Sequence, residues 1–141
     1  MFVENTPAAS TVKVHIAAEG VKQATPLKLE LRERGSNKVV WSRQEQMDGS
    51  EKTLTLSLPQ AKLWSVEEPN LYELTAKLGN DELTQRFGFR WFEVRDVKGD
   101  RQFYLNGKRI TLITAISWSF WPDNGITPSR ELAYKQVRDA K

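Results

Sequence analysis

The residue types that carry out most enzyme chemistry are scarce in this sequence of 141 residues. It contains no cysteine and a single histidine, His15, which excludes thiolate nucleophiles, disulfides and cysteine-based metal sites. Val14 and Ile16 flank His15, so the alternation predicts that its side chain lies on the polar side of a strand. A Ser-His-Asp triad needs its histidine in a cleft beside an activated serine, and nothing around His15 predicts one. We therefore expect no triad, no metal site and no cofactor.

The adjacent carboxylates Glu67 and Glu68 are the next candidates for acid-base chemistry. They stand directly before Pro69, in a stretch that is typical of a polar turn. We expect no catalytic role for this pair.

The charge balance indicates two parts in the chain. Residues 1–94 carry 12 Lys and Arg against 13 Asp and Glu, and residues 95–141 carry 9 against 5. The basic residues of the second part are mixed with acids and aromatics, which is typical of a solvated face rather than a nucleic-acid site. No stretch approaches the roughly 18 consecutive apolar residues of a spanning helix. We expect neither a nucleic acid nor a membrane as partner.

Apolar and polar residues alternate with period two through the first ninety residues, as in strands that bury one face. Turn residues such as Gly, Pro, Asn and Asp separate the runs. The alternating apolar positions are Val12, Val14, Ile16; Leu27, Leu29, Leu31; Val39, Trp41; Leu54, Leu56, Leu58; Tyr72, Leu74, Ala76, Leu78; and Leu83, Phe87, Phe89. Six or seven such strands predict an all-β fold, an immunoglobulin-like antiparallel β-sandwich over residues 1–94.

The pattern changes in residues 95–141. Asn106-Gly107 between two strand-like runs predicts a hairpin. Residues 110–116, which are nearly all apolar or Thr and do not alternate, predict a strand buried on both faces. Thr127-Pro128 predicts the N-cap and first turn of a helix that runs to Lys141. A strand, a loop and a helix without a stop signal indicate the start of a second domain that the sequence does not complete.

Three segments, in order along the chain, resemble motifs of glycoside hydrolase family 2, the β-galactosidases, β-glucuronidases and β-mannosidases. Residues 63–72 (Leu-Trp-Ser-Val-Glu-Glu-Pro-Asn-Leu-Tyr) resemble its Leu-Trp-Ser-Pro-Glu-x-Pro-x-Leu-Tyr segment. Residues 86–90 match its Arg-Phe-Gly-Phe-Arg strand, and residues 103–110 (Phe-Tyr-Leu-Asn-Gly-Lys-Arg-Ile) resemble its Phe-x-Leu-Asn-Gly-Lys-Pro hairpin. Each match alone is weak, but three in the right order are specific.

The resemblance implies that residues 1–94 are the second, immunoglobulin-like domain of such an enzyme and that residues 95–141 open its (β/α)8 catalytic barrel. The implied reaction is retaining hydrolysis of O-glycosidic bonds by two carboxylates about 5–5.5 Å apart, without a cofactor. A barrel needs at least about 200 residues, and 47 follow residue 94. We therefore expect both catalytic carboxylates outside this sequence, and a structural, substrate-orienting role for the chain itself.

The resemblance also has a departure. A typical β-galactosidase reads Arg-Gly-Val-Asn-Arg-His-Glu after its first barrel strand, whereas residues 113–121 here read Ile-Thr-Ala-Ile-Ser-Trp-Ser-Phe-Trp. The Asn, His and Glu of that motif have no equivalent, so β-galactosidase specificity is not implied.

The aromatic loop after the implied barrel strand holds the candidate substrate contacts. In a barrel, this loop lies at the face where active sites form. Trp118, Phe120 and Trp121 suit the apolar face of a carbohydrate ring, and Asp123 or Asn124 could bond its hydroxyls. The alternative, that these rings only pack within the barrel, stays open at this stage.

Two further expectations concern partners. The apolar residues of 110–141 would be exposed without the rest of a barrel, so we expect the chain to self-associate through them. A free-standing immunoglobulin-like module that binds carbohydrate or protein is the alternative function. The sequence leaves the compartment open, and the resemblance favours a secreted or periplasmic parent enzyme.

Overall fold

The computed structural model describes residues 1–21, 23–114 and 128–140. The chain divides into two compact units, Met1–Ile110 and Thr111–Lys141. Antiparallel strands make up most of the first unit, and a short helix lies in the second.

The strands of the first unit form three antiparallel sheets. Their bounds are β1 Phe2–Asn5, β2 Thr11–Ala17, β3 Thr25–Glu33, β4 Val39–Met47, β5 Glu51–Ser57, β6 Tyr72–Leu78, β7 Asp81–Phe87, β8 Phe92–Val97, β9 Asp100–Leu105 and β10 Lys108–Ile110. The orders are β1-β2-β5, β4-β3-β6-β7 and β10-β9-β8.

The sheets β1-β2-β5 and β4-β3-β6-β7 share one hydrophobic core, and we call the sheet β10-β9-β8 the small sheet. Alternate residues of β2, β3 and β5 are buried, as period-two alternation requires, whereas β4 and β7 each bury one residue. The buried core residues of these sheets and their connections are Val12, Val14, Ile16, Leu27, Leu29, Leu31, Met47, Leu54, Leu56, Tyr72, Leu74, Ala76, Phe87 and Phe89. The prediction of an all-β sandwich is therefore confirmed.

Three details differ from the predicted strands. Strand β1, which no alternation predicted, pairs antiparallel with β2. Val39 and Leu83, both expected on a buried face, are 38% and 53% exposed. They lie on β4 and β7, the two edge strands of the four-stranded sheet, which faces a sheet of only three strands.

The outer face of the four-stranded sheet carries paired charges. Lys28 and Arg32 both bond Glu30, and these bonds hold the pKa of the Glu30 carboxyl below its ordinary value. Lys77 pairs with Glu82 at 2.8 Å. Exposed pairs add little stability, but they leave this face well suited to water.

The predicted hairpin is confirmed. Asn106 and Gly107 join β9 to β10 with positive φ angles of 52° and 77°, as a type I′ turn requires. Strand β8 pairs with β9 and makes the small sheet three-stranded. Because β8 spans Phe92–Val97, it crosses the expected boundary between residues 94 and 95.

The second unit corrects the predicted helix start. Helix α1 spans Arg130–Asp139, and its N-cap is Ser129, whose side chain accepts the Leu132 N–H at 3.2 Å. Thr127-Pro128 therefore does not open the helix, since Ser129 supplies the cap oxygen closer to the first turn. In the part of the chain that the structure describes, no helix is both long and apolar enough to cross a membrane.

The predicted strand at 110–116 is wrong over residues 111–114. Strand β10 ends at Ile110, and Leu112 and Ile113 are 49% and 95% exposed. A strand buried on both faces needs neighbours on both sides, and within the described ranges residues 111–114 join no strand. Residues 115 and 116 lie outside those ranges.

Tyr72 anchors the connection between β5 and β6. It is the first residue of β6, and its hydroxyl accepts the Lys62 backbone N–H at 2.8 Å. Its ring meets Phe89 edge-on, with centroids 5.1 Å apart. Burial raises the pKa of the Tyr72 phenol above its ordinary value of 10.0.

We predict that this phenol makes the sandwich sensitive to alkali. The unfolded chain releases the Tyr72 proton at lower pH than the folded chain, because the folded pKa is raised. The stabilisation is therefore complete below the ordinary value of 10.0 and is lost as the pH rises through the folded pKa. Urea unfolding at a series of pH values measures this loss. Tyr72→Phe should reduce it, and a part should remain because Glu82 also raises the pKa of the Lys77 ammonium group.

At neutral pH, Tyr72→Phe should lower the free energy of unfolding by about 1 kcal/mol, because the Lys62 N–H loses its acceptor. Tyr134→Phe is the matched control, since Tyr134 is 65% exposed in the second unit. An alkaline loss of equal size in wild type and Tyr72→Phe would contradict the prediction.

Candidate functional site

The three segments that carry the family resemblance converge on one cluster of contacts. They are the connection between β5 and β6, the residues that follow β7, and the β9–β10 hairpin. We call the cluster the three-segment junction and define it by Trp64, Gly88, Phe89, Trp91 and Asn106.

The first contact of the junction joins residues 63–72 to residues 86–90. The Trp64 N–H donates to the Phe89 carbonyl at 2.9 Å, and Trp64 also forms an antiparallel bridge with Pro69. The turn between them is closed twice: the Ser65 N–H donates to the Glu68 carbonyl, and the Glu68 N–H donates to Ser65 Oγ, both at 2.9 Å. A tight, self-bonded turn thus holds Trp64 in place.

Asn106 ties the hairpin to residues 63–72 and to Trp91, which directly follows residues 86–90. Its Nδ2 donates to the Trp64 carbonyl at 2.8 Å, across 42 residues of chain, and its Oδ1 accepts the Trp91 N–H at 3.1 Å. Its own backbone N–H donates to the Trp91 carbonyl at 2.9 Å. The positive φ of 52° is one that asparagine tolerates better than most residues. One side chain therefore serves both the turn and the junction.

Close packing around Trp64 explains the buried glycine at position 88. A Cβ on Gly88 would lie 2.7 Å from the Trp64 Cβ and 3.0 Å from the Asn70 carbonyl oxygen. Above the half-buried Trp64 ring, the Arg90 guanidinium lies 4.5 Å from the ring centroid, a cation–π distance. The Arg90 N–H also donates to Asn5 Oδ1 at 3.2 Å, which brings β1 into contact with the segment after β7.

The sequence that forms most of this junction also matches a family model. The model for glycosyl hydrolases family 2 matches residues 2–90, which is more than half of the chain. The chain belongs to glycosyl hydrolase family 2.

Among curated relatives of this family 2 chain, a putative β-glucuronidase from Formosa agariphila is 46% identical over 61 residues, which are 40% of this chain and 7% of that protein. A β-galactosidase from Thermoanaerobacterium thermosulfurigenes is 34% identical over 89 residues, 60% of this chain and 12% of that protein. The chain thus spans only a small part of the length of the curated relatives that it matches.

Solved structures agree in fold. The Bifidobacterium dentium β-glucuronidase, solved with coumarin-3-O-glucuronide, superposes on 91% of this chain and 20% of its own with a TM-score of 0.78 at 19% identity. At this identity the likeness concerns the fold alone.

Glu67 and Glu68 of the family 2 chain are exposed and lie in the predicted polar turn. The Glu67 carboxyl is bonded by its own backbone N–H and by Ser65, which lower its pKa. A general acid at neutral pH needs the opposite shift.

His15 lies on the outer side of β2. Its Nε2 is 2.7 Å from Glu4 Oε2, and its Nδ1 is 3.1 Å from Thr53 Oγ1. Both ring nitrogens are thus engaged by neighbouring side chains. Across residues 1–21, 23–114 and 128–140, no group of three or more His, Cys, Asp and Glu side chains is arranged to hold a metal ion.

The predicted substrate contacts fall in a part of the sequence that is not described. Trp118, Trp121 and Asp123, together with Phe120 and Asn124, lie outside the described residues.

Sequence reasoning missed an apolar surface on the small sheet. Phe92, Val94 and Phe103 are 52%, 53% and 39% exposed, and the rings of Phe92 and Phe103 stack with centroids 5.6 Å apart. Val94 pairs directly with Phe103, so the three side chains share one face. The alternation of Phe92 and Val94 in the sequence could have predicted an apolar face on this strand.

We predict that Gly88→Ala destabilises the chain by about 1–3 kcal/mol, because overpacking forces neighbours to shift. The obstructing Asn70 oxygen belongs to the backbone, so it cannot move away as a flexible side chain would. Urea unfolding followed by tryptophan fluorescence measures the change.

Gly49→Ala is the matched control, since a Cβ at Gly49 meets nothing within 4 Å. It should leave the free energy of unfolding within about 0.5 kcal/mol of wild type. Equal effects of the two substitutions would contradict the close packing at Gly88.

Proposed function

We propose that this chain is the structural, substrate-orienting part of a glycosidase whose catalytic groups lie on other residues. Family membership over residues 2–90 supports the glycosidase class. The observation that carries the proposal is the three-segment junction, because its bonds fix the direction in which the chain leaves the sandwich. The parent enzyme would hydrolyse O-glycosidic bonds of a carbohydrate substrate, and the reaction needs no diffusible cofactor.

The sandwich would be the immunoglobulin-like domain of that enzyme. Its strand orders, β1-β2-β5 and β4-β3-β6-β7, fit two Greek-key sheets of the immunoglobulin and fibronectin type. Tyr72 supports this assignment. It begins a central strand and bonds the backbone at Lys62, as the tyrosine corner of such domains does.

We assign residues 1–94 to this domain and residues 95–141 to the entrance of the catalytic barrel. The compact units divide later, between Ile110 and Thr111, because the small sheet belongs with the sandwich. In the proposed enzyme, that sheet would be the rigid connection between the two domains.

Three carboxylates of the described residues have properties that do not suit a glycosidase acid. Their pKa values are held below the ordinary 4.5: Glu30 by bonds from Lys28 and Arg32, Glu67 chiefly by its own backbone N–H, and Glu93 by Arg95. Glycosidase acids need a raised pKa and a partner about 5–5.5 Å away in retaining enzymes. None of these three groups therefore suits the role of the acid, and we place the acid and the nucleophile on residues outside this sequence.

The apolar face of the small sheet would pack against the catalytic part. Exposed apolar patches of this kind mark interaction surfaces, and Phe92, Val94 and Phe103 lie on the sheet that the junction orients. Most of the length of the curated relatives lies outside the segment that this chain matches. That additional length supplies an occupant for the face.

Substrate contact is proposed for Trp118, Trp121 and Asp123, which follow the small sheet in the sequence. Their residue types suit stacking on a carbohydrate ring and bonding its hydroxyls. Without the rest of a barrel, the chain would self-associate through residues 110–141, in line with the exposure of Leu112 and Ile113.

A chimera tests the proposal. We predict that residues 1–110, placed in the β-galactosidase of Thermoanaerobacterium thermosulfurigenes in exchange for the matching segment, give an enzyme that still hydrolyses 4-nitrophenyl β-galactoside. Its substrate preference and KM should stay those of the host, because the inserted part positions the catalytic groups and does not contain them. The chain of 141 residues alone should hydrolyse neither this substrate nor 4-nitrophenyl β-glucuronide above a buffer blank.

Two results would contradict the proposal. One is turnover by the isolated chain that survives repurification. The other is a folded chimera, with the circular dichroism and oligomeric state of the host, that has lost activity or changed its substrate preference.

A further inference from the structure

The outer face of the β1-β2-β5 sheet carries a row of three side chains that no part of the proposed function uses. Phe2, His15 and Thr53 lie directly opposite one another in the strand register. The Phe2 side chain is 62% exposed. Its ring stacks on the His15 imidazole with centroids 6.0 Å apart and an interplanar angle of 27°.

The His15 ring is fixed from two sides. Glu4 Oε2 lies 2.7 Å from Nε2, and Thr53 Oγ1 lies 3.1 Å from Nδ1. An imidazole held in this way cannot turn without losing both bonds, so it also limits the motion of the Phe2 ring stacked on it. A surface that is ordered before binding spends less conformational entropy when a ligand arrives.

A groove of about 320 Å³ lies beside this ring pair, with Ala17, Glu51 and Thr53 among its other lining residues. The volume is at the lower end of small-molecule sites, which are about 300–1,000 Å³. The groove therefore combines an aromatic wall, a small residue, a carboxylate and a hydroxyl group in a space suited to a single ring.

Charges of both signs border the groove. Glu4 and Glu51 present carboxylates near the ring pair, and Met1, which carries the amino group of this chain, also lines the groove. Lys52 also lines the groove, but its Nζ bonds the Gln46 carbonyl at 2.7 Å and lies 3.7 Å from Asp48. The ammonium group is thus held by groups outside the groove.

We propose that this groove binds one neutral pyranose ring of a glycan. The C–H groups on one face of a pyranose carry a weak positive charge and suit the negative face of the Phe2 ring. The Glu51 carboxylate and the Thr53 hydroxyl can accept hydrogen bonds from the hydroxyls of the ring. The site is separate from the catalysis proposed above and does not depend on it.

Nuclear magnetic resonance of the 15N-labelled chain of 141 residues tests the proposal, with methyl β-D-glucopyranoside as the probe. This neutral glycoside should shift the amide signals of His15, Ala17 and Thr53 with an affinity in the millimolar range, as an open groove implies.

Phe2→Ala should weaken binding of the neutral glycoside by about threefold to tenfold. Phe92→Ala is the matched control, since Phe92 is 52% exposed on the small sheet, and it should leave the affinity unchanged. The core amide signals show whether each variant is folded.

Two outcomes would overturn the proposal: no shift localised to this groove, or an unchanged response in folded Phe2→Ala. Glu51→Ala gives a second check, because it removes an acceptor from the groove and should also weaken binding.

Discussion

The side chain of Asn106 uses both ends of its amide at once, and the organisation of the first unit depends on this. Its Nδ2 bonds the Trp64 carbonyl and its Oδ1 bonds the Trp91 N–H. Without it, two part-buried backbone groups would lose their partners, at a cost of about 1–3 kcal/mol for each group left unsatisfied. The bond to the Trp64 carbonyl is therefore a direct link between the hairpin and the sandwich, whereas the bond to Trp91 extends the pairing of β8 with β9.

The surfaces of this unit differ in chemistry, and the differences fit a domain that orients another part of an enzyme. The outer face of the four-stranded sheet is covered by ion pairs such as Lys77–Glu82 and suits water. The small sheet presents the apolar side chains of Phe92, Val94 and Phe103. An apolar face on the element that the junction holds rigid is a suitable surface for a partner domain, because packing there transmits orientation as well as binding energy.

Much of the fold could be predicted from the sequence, because local signals and tertiary structure agree there. Period-two alternation predicted the core residues, and Asn106-Gly107 predicted the hairpin turn. The side-chain bonds of Asn106 to Trp64 and Trp91 could not be predicted from the sequence, because the hairpin turn alone explains an asparagine before a glycine. Gly88 has an ordinary φ, so only the proximity of Trp64 and Asn70 explains it. Leu83 was misassigned because alternation does not indicate how far the opposite sheet extends.

Native-state hydrogen exchange tests most directly whether the Asn106 side chain holds the hairpin to the sandwich. We predict that the Leu105 amide in wild type exchanges with a free energy close to that of Leu29 in the core. Asn106→Gly keeps the turn and should lower the value at Leu105 by about 1–3 kcal/mol, with Leu29 less affected. Asn80→Gly, in an exposed turn, controls for the added glycine. Low protection of Leu105 already in wild type, or equal losses at both amides in Asn106→Gly, would contradict the account.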